Sequence, residues 1–395
     1  MYTLVLIVLI LTVILPDLFF YFKLKKKQVK WYYHILNFFP TGFFILSFLI
    51  VKFTGRGAQN PDYFHIFMWI NFAFMIIYIP KLIYLIFHFL NFLLNLIPGI
   101  KTKAFRYAGL FIALSITILM LHGAFINPTN FELNKVELKV MDLPDSFEGY
   151  KIIQISDIHL GSWGKNHHYL EPAVEIINQQ DADLVLFSGD MVNNFSQETA
   201  GWSPVFQKIK AKTGKYAIMG NHDYGDYSDW KSNLDKHKNL SDIKDSISAF
   251  GFRILLNESV ILTKNADSLV LAGVENWGKP PFPKYGKLNE TINPAYNHLK
   301  TILISHDPSH WRAEVTGYEN IFLTLSGHTH AAQLAFRIGE KIYSPSAWVY
   351  DEWNGLYKEK NQYLYINKGL GFVGIPVRIG AARPEITVIT LSKAR

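Results

Sequence analysis

Five apolar runs of buried-strand length each end in a short polar cluster, and that repetition constrains the fold more than any other feature of the chain. The runs are Lys151-Ile152-Ile153-Gln154-Ile155, Leu184-Val185-Leu186-Phe187, Tyr216-Ala217-Ile218-Met219, Thr301-Ile302-Leu303-Ile304 and Ile321-Phe322-Leu323-Thr324-Leu325. Short continuous runs of this kind suit strands covered on both faces, as parallel strands in an α/β layer are. The clusters are Asp157-Ile158-His159, Gly189-Asp190, Gly220-Asn221-His222-Asp223, Ser305-His306-Asp307 and Gly327-His328-Thr329-His330. Each therefore falls at a strand's carboxyl end. In open α/β sheets the crevice beyond those ends gathers segments that are distant in sequence, so five clusters can converge on one small volume.

Their chemistry is that of a dinuclear metal site. In an extended backbone residues two apart point to the same side, so Asp157 and His159 can grip one metal together, as can His328 and His330. Asp190 has two oxygens and can bridge two cations, which hydrolytic sites hold ~3.5–4 Å apart. Asn221 supplies an amide oxygen and His306 a further imidazole. An oxygen and nitrogen donor set suits manganese, zinc or iron and disfavours calcium. The chain has no cysteine, which excludes disulfides and thiolate ligands.

The N-terminal part has a different texture. Up to Asn130 it carries eleven Lys or Arg against two acids, a surplus of nine, whereas the remainder has 28 against 30. The basic surplus therefore lies among apolar stretches and not with the polar clusters, which argues against nucleic acid as a partner. Residues 1–22, 33–53, 64–87 and 105–126 read as four membrane spans of ~20 residues. The third is kinked at Pro80 and followed by an interfacial stretch over 88–97. No cleavable signal is read in the first span, because its positive charges (Lys23, Lys25, Lys26, Lys27, Lys30) follow the apolar stretch. Those lysines, with Lys101, Lys103 and Arg106, mark the cytoplasmic loops, so with four spans everything after Ile126 lies on the non-cytoplasmic face. A transporter would need ionisable residues inside the spans, and these are scarce.

From Pro128 onward strands, helices and polar turns alternate. Helices are expected over 169–180, 199–210 and 240–250, short strands over 253–274, and further strands over 363–367 and 385–391. The literal GxGxxG of Gly369-Leu370-Gly371-Phe372-Val373-Gly374 is followed by Pro376, not by a helix, and reads as a tight loop near the mouth of the site and not as a dinucleotide fingerprint. Trp163, Trp277, Phe282 and Tyr285 are read as core aromatics that could instead form an apolar lip.

The pattern DxH, GDxxD, GNH followed by an acid, a lone His and GHxH resembles that of the calcineurin-like metallophosphoesterases over residues 152–334. Asn367-Lys368-Gly369-Leu370-Gly371, Pro376-Val377-Arg378 and Arg383-Pro384-Glu385-Ile386 are similar to the membrane-associated branch of predicted phosphohydrolases. The resemblance implies two packed β-sheets flanked by helices, one metal on Asp157, His159, Asp190 and His330, and another on Asp190, Asn221, His306 and His328. His222 would be the catalytic histidine outside the coordination shell, with Asp223 orienting its ring. Asn193 stands where the pattern has its second Asp, and purple acid phosphatases resemble each other in a metal-bound tyrosine there, so this chain departs from them.

The expectation is a multi-span helical membrane region over 1–127 joined to a metallophosphoesterase domain over 128–395, hydrolysing a phosphodiester or pyrophosphate bond, with lipid-linked phosphates among the candidate substrates. The rival is a membrane scaffold or binding protein with an inactive phosphoesterase fold; the intact ligand set speaks against it.

Overall fold

The computed structural model describes residues 10–54 and 61–394, and the chain forms two compact units. The first is helical. A π-helical turn at Ile10–Ile14 leads into α1 (Leu15–Lys26), followed by α2 (Trp31–Thr54), α3 (Pro61–Leu94) and α4 (Ala104–Phe125). Three stretches, Trp31–Ile50 in α2, Asp62–Leu94 in α3 and Ala104–Thr129, which begins with α4 and runs past its end, are long and apolar enough to cross a membrane. Their large side chains face outward, with Phe39, Phe48, Phe111 and Leu114 exposed and Asp17 buried. That inverts the apolar-inside rule of a helix in water and suits a helix in lipid.

Three of the four expected spans lie among the described residues as long apolar helices. The expected first span falls partly on residues 1–9, outside the described residues; its described part is α1, which ends in the lysine cluster. The third span also differs. The helix does not end before His88: α3 runs through Pro80 to Leu94 as one helix of 34 residues. A proline removes one backbone bond, and helices packed among other helices accommodate that loss.

Ionisable residues are scarce inside this unit, as the sequence indicates, yet they meet at one point. Asp17 Oδ1 accepts from Lys81 Nζ at 2.6 Å. Its Oδ2 accepts from Thr41 Oγ1 and from Tyr78 OH, the latter at 3.4 Å, and Asn37 Nδ2 donates to the Asp17 carbonyl at 2.9 Å.

The second unit is a two-sheet sandwich. Its strands are β1 (Glu132–Val140), β2 (Lys151–Ile155), β3 (Leu184–Phe187), β4 (Gly214–Ala217), β5 (Arg253–Ile254), β6 (Glu258–Lys264), β7 (Asp267–Gly273), β8 (Thr301–Ile304), β9 (Ile321–Ser326), β10 (Leu334–Ile338), β11 (Lys341–Tyr343), β12 (Gly355–Glu359), β13 (Gln362–Ile366), β14 (Ile379–Gly380) and β15 (Glu385–Lys393). One sheet has the order β1-β15-β2-β3-β4-β5, the other β12-β13-β9-β8-β7-β6, and β11-β10-β14 forms a small third. Strands β2 to β5 run parallel to one another, as do β7, β8, β9 and β13. Leu184, Leu186 and Ile152 of the first sheet pack with Leu271, Ile302, Ile304, Leu323 and Leu325 of the second in one core. The opposite faces of β8 and β9 are covered too, by Trp311, Val315 and Leu288. Both faces are dry, which is why these strands read as unbroken apolar runs.

Between strands the expectations hold unevenly. The helix expected over 169–180 is Glu171–Asn178, with a 3-10 turn before it. The one expected over 240–250 is α5 (Asn233–Ala249), begun earlier because the Ser232 side chain caps it through Asp235 N. Residues 199–210 hold no helix of that length, only the single turn Ser203–Phe206 with Pro204 at its start. The third strand is shifted to Gly214–Ala217, leaving Ile218 and Met219 to lead into the polar loop.

Candidate metal centre

The five clusters do meet. They leave the carboxyl ends of β2, β3 and β4 in one sheet and of β8 and β9 in the other, so the site straddles the sandwich edge. Two groups form there, Asp157 with His159 and His330, and Asp190 with His306 and His328, the ligand atoms in each lying within 4.8 Å of one another. Asn221 joins the second, its Oδ1 lying 2.8 Å from His328 Nδ1. Asp190 lies between the groups, 3.1 Å from His306 Nε2 and 3.7 Å from His159 Nε2. His328 and His330, expected to turn to one side, are split between the two groups.

The local backbone explains the convergence, and it is not extended. Asp157, His159, Asp190, His328 and His330 all have left-handed φ, between 48° and 71°. For residues with a Cβ this costs on the order of 1–3 kcal/mol each, a strain concentrated at functional sites. Strand alternation therefore does not aim these side chains; sharp left-handed turns do. Gly189 makes one turn possible, since its φ is 102° and a Cβ there would lie 2.7 Å from both His306 Nδ1 and the Gly220 amide nitrogen.

Two buried carboxylates hold the strained loops. Asp223 accepts the N–H groups of Asp190, Met191, Val192 and Gly220 at 2.8–3.1 Å. Glu198 accepts those of Gly161, Asn193, Asn194 and Phe195 at 2.6–3.0 Å. Burial raises the pKa of both, and the neighbouring Asp190 charge helps push Asp223 up to about 7. Asp223 thus does not orient the His222 ring as expected. Its oxygens are taken by backbone N–H groups, and His222 Nδ1 instead meets the Asn193 carbonyl at 2.7 Å. Asn193, the departure from the pattern, bonds Ser162 through its side chain and steers His222 through its main chain.

The electrostatics ask for cations. His306 Nδ1 donates to the Ser188 carbonyl at 2.7 Å, which leaves Nε2 facing Asp190. That Nε2 is buried and makes no aligned hydrogen bond despite the 3.1 Å separation; the two atoms face a common point more than each other. His159 and His330 bring their Nε2 atoms within 3.0 Å, an arrangement for two lone pairs only if a proton or a metal lies between. Burial opposes ionisation of Asp157, yet His330 and then His306 hold it well below the carboxylate range. Burial keeps His159 well below its ordinary value. The donor set and its unmet nitrogens fit divalent metal ions.

Several neighbours were not expected at the site from the sequence. Tyr350 OH lies 2.9 Å from His328 Nε2, and Asn221 Nδ2 donates to Tyr227 OH at 2.7 Å. The buried Arg378 places NH2 3.2 Å from His330 Nδ1 while donating to the carbonyls of Lys368 and Gly371. Their partners are set by loop packing, which no spacing rule encodes. The glycine run 369–371 does not form the mouth. Leu370 N and Gly371 N donate to Ser156 O and Asp157 O at 2.9 and 2.8 Å, so the run backs the Asp157 loop. Of the four loop aromatics Phe282 packs against a site residue, its ring 4.7 Å from that of His328. Trp163 donates to Ile158 O, Trp277 stacks on His310, and Tyr285 stacks on Tyr224.

Residues 150–332 match the family model described as calcineurin-like phosphoesterase. Metallophosphoesterase YkuE of Bacillus subtilis is 30% identical over 276 residues, 68% of this chain and 88% of that protein. The chain belongs to the calcineurin-like phosphoesterase family. A second relative is the transmembrane protein with metallophosphoesterase domain of Danio rerio, 28% identical over 75% of this chain; the match spans 65% of that protein's length. Metallophosphoesterase Cj0846 of Campylobacter jejuni is 25% identical over 95% of both chains. With three apolar helices and transmembrane relatives, this phosphoesterase is a membrane protein.

Proposed function

We propose that the chain is a membrane-anchored, dinuclear-metal phosphohydrolase that cleaves a phosphodiester or pyrophosphate bond, with a membrane region over residues 1–127 and the catalytic domain over 128–395. The observation that carries this reading is the pair of Asp/His groups, each within 4.8 Å, with Asp190 between them. Asp157, His159, Asp190 and His330 would hold one ion, and Asp190, Asn221, His306 and His328 the other; manganese, zinc and iron all fit these donors. Bound there, divalent cations lower the pKa of a water toward neutrality and neutralise phosphoryl charge.

The chain's own groups do the rest. A carbonyl can only accept, so His222 Nδ1 donates to Asn193 O; the imidazolium form, with a proton on each nitrogen, gives its Nε2 proton to the leaving oxygen and returns to the neutral Nδ1–H tautomer. His222 and His328 are the partly accessible members of the site, so substrate enters beside them. Asp223 and Glu198 keep the left-handed loops from relaxing. The preferred substrate is a phosphorylated, lipid-linked molecule, because the anchor confines the domain to the membrane surface, on the non-cytoplasmic side if the lysine-rich loops are cytoplasmic.

The test uses the full chain in lipid nanodiscs with manganese, zinc or iron, first on bis(p-nitrophenyl) phosphate and then on total membrane lipid extract followed by phosphorus NMR. Metal-dependent turnover of the diester and loss of one lipid phosphorus signal are expected. No turnover with any of the three metals on either substrate defeats the hydrolytic reading and leaves the scaffold.

A further inference from the structure

The loop that follows His330 builds a hairpin with two apolar faces. β10 and β11 pair antiparallel, with Phe336 opposite Tyr343, Arg337 opposite Ile342 and Ile338 opposite Lys341. Directly paired residues share a face and alternate residues switch faces. Ile342 takes the inner face and packs on Ala331, Ala335 and Ala382. Phe336, Ile338 and Tyr343 take the outer face and are exposed, Ile338 by 68%. The one-turn helix Pro345–Trp348 comes next. It leaves Trp348 87% exposed with Val349 beside it, and Tyr350 follows, its OH on His328. Ser344 Oγ donates to the Ala331 carbonyl at 2.7 Å, so this apolar surface is stapled to the loop that carries His330.

Soluble domains seldom leave such a surface uncovered. Its composition names the cover. Trp, Tyr and Phe, with Lys341 opposite Ile338 on the same outer face, are residue types that settle at the boundary between headgroups and acyl chains. Connectivity argues the same way. Only residues 126–131 join α4, which ends at Phe125, to β1, which begins at Glu132. Fully extended they span roughly 20 Å. A domain tethered that closely meets bilayer at high effective concentration throughout.

We propose that the β10–β11 hairpin together with Trp348 and Val349 is a bilayer-docking surface, which inserts its aromatic side chains among lipid headgroups and holds the rim of the metal centre, through Tyr350, at headgroup depth. The proposal rests on membrane attachment and not on turnover, so its test reads no hydrolysis and can fail or succeed independently of the phosphohydrolase reading.

The cysteine-free chain permits single labelling without background. Trp348→Cys and, as the control, Leu234→Cys, at a leucine 77% exposed at the start of α5, are each labelled with an environment-sensitive fluorophore. The full-length variants are placed in nanodiscs of phosphatidylcholine and phosphatidylglycerol containing lipid with a doxyl group near the headgroup. Several-fold stronger quenching at 348 than at 234, with the reverse order for aqueous iodide, is the expected result. Phe336→Ser and Ile338→Ser added together should reduce the lipid quenching at 348 while the melting midpoint shows the domain still folded. Equal lipid quenching at the two positions overturns the proposal. So does shielding of 348 from both quenchers, which would mean that protein, such as a second copy of the chain, covers the surface.

Discussion

Among the described residues, the buried charges around Asp17 and those at the sandwich edge are built in opposite ways. Around Asp17 each carboxylate oxygen has donors, from Lys81, Thr41 and Tyr78, and one positive charge cancels one negative. At the sandwich edge two aspartates face four imidazoles, one buried His306 nitrogen is unmet, and two other ring nitrogens are 3.0 Å apart. Burial of charge is costly in both places. The first cluster answers the cost from within and so acts as a clasp tying α1, α2 and α3 together. The second leaves it open, and its backbone is strained as well. A site closed on itself needs no ligand; a site left open by strained residues is built for one.

The contrast breaks most sharply under substitution. Asp190→Ala removes the carboxylate that lies between the two groups, and hydrolysis should fall by ~10³-fold or more, on the order of 4 kcal/mol of barrier. Metal content by mass spectrometry should fall with it. Turnover within tenfold of the parent would show that Asp190 is not shared. Lys81→Met strands the Asp17 charge and should destabilise the helical unit by about 3 kcal/mol. Adding Asp17→Asn should restore most of that, with diester hydrolysis unaffected throughout, as followed by melting in nanodiscs. If the single variant loses turnover while remaining folded, the clasp is not merely structural. His222→Ala should lower turnover by ~10²-fold with metal content retained. Metal loss together with activity would make His222 a ligand and redraw the second group.

Legibility in the sequence followed the physics of each element. The runs of β2, β3, β8 and β9 were readable because both faces are dry, whereas β10 and β11 were not, since one face is open and their pattern is mixed. The seven proposed ligands stand out as candidates because strand ends and ligand chemistry coincide. The means of their convergence does not, because left-handed turns at Asp157 or His330 leave no trace in residue type beyond a tolerance for Asp and His. The roles of Glu198 and of Arg378, though the latter sits in a quoted motif, stayed hidden for a related reason: their partners are largely backbone groups of loops whose meeting is a tertiary event. The Asp17 to Lys81 pair spans 64 positions and two helices, and only packing joins it.

The smallest effect is the one that separates the clusters by pH. Burial opposes charge on His306, but Asp190 and then Asp157 overcome it and raise its pKa from 6.5 to about 10. In the metal-free protein this pair contributes stability that is fully present below about 6.5 and lost as pH rises through about 10. The same proton occupies Nε2, where a metal would bind, so metal must displace it. Apparent metal affinity should therefore rise with pH above neutrality, by up to about tenfold per unit for each proton released. Calorimetric titration of manganese in buffers of differing ionisation enthalpy measures that release, and His306→Gln should flatten the slope. An affinity constant across pH 6.5 to 8.5 would mean His306 is already deprotonated, and would set the edge cluster nearer to the self-neutralised kind around Asp17.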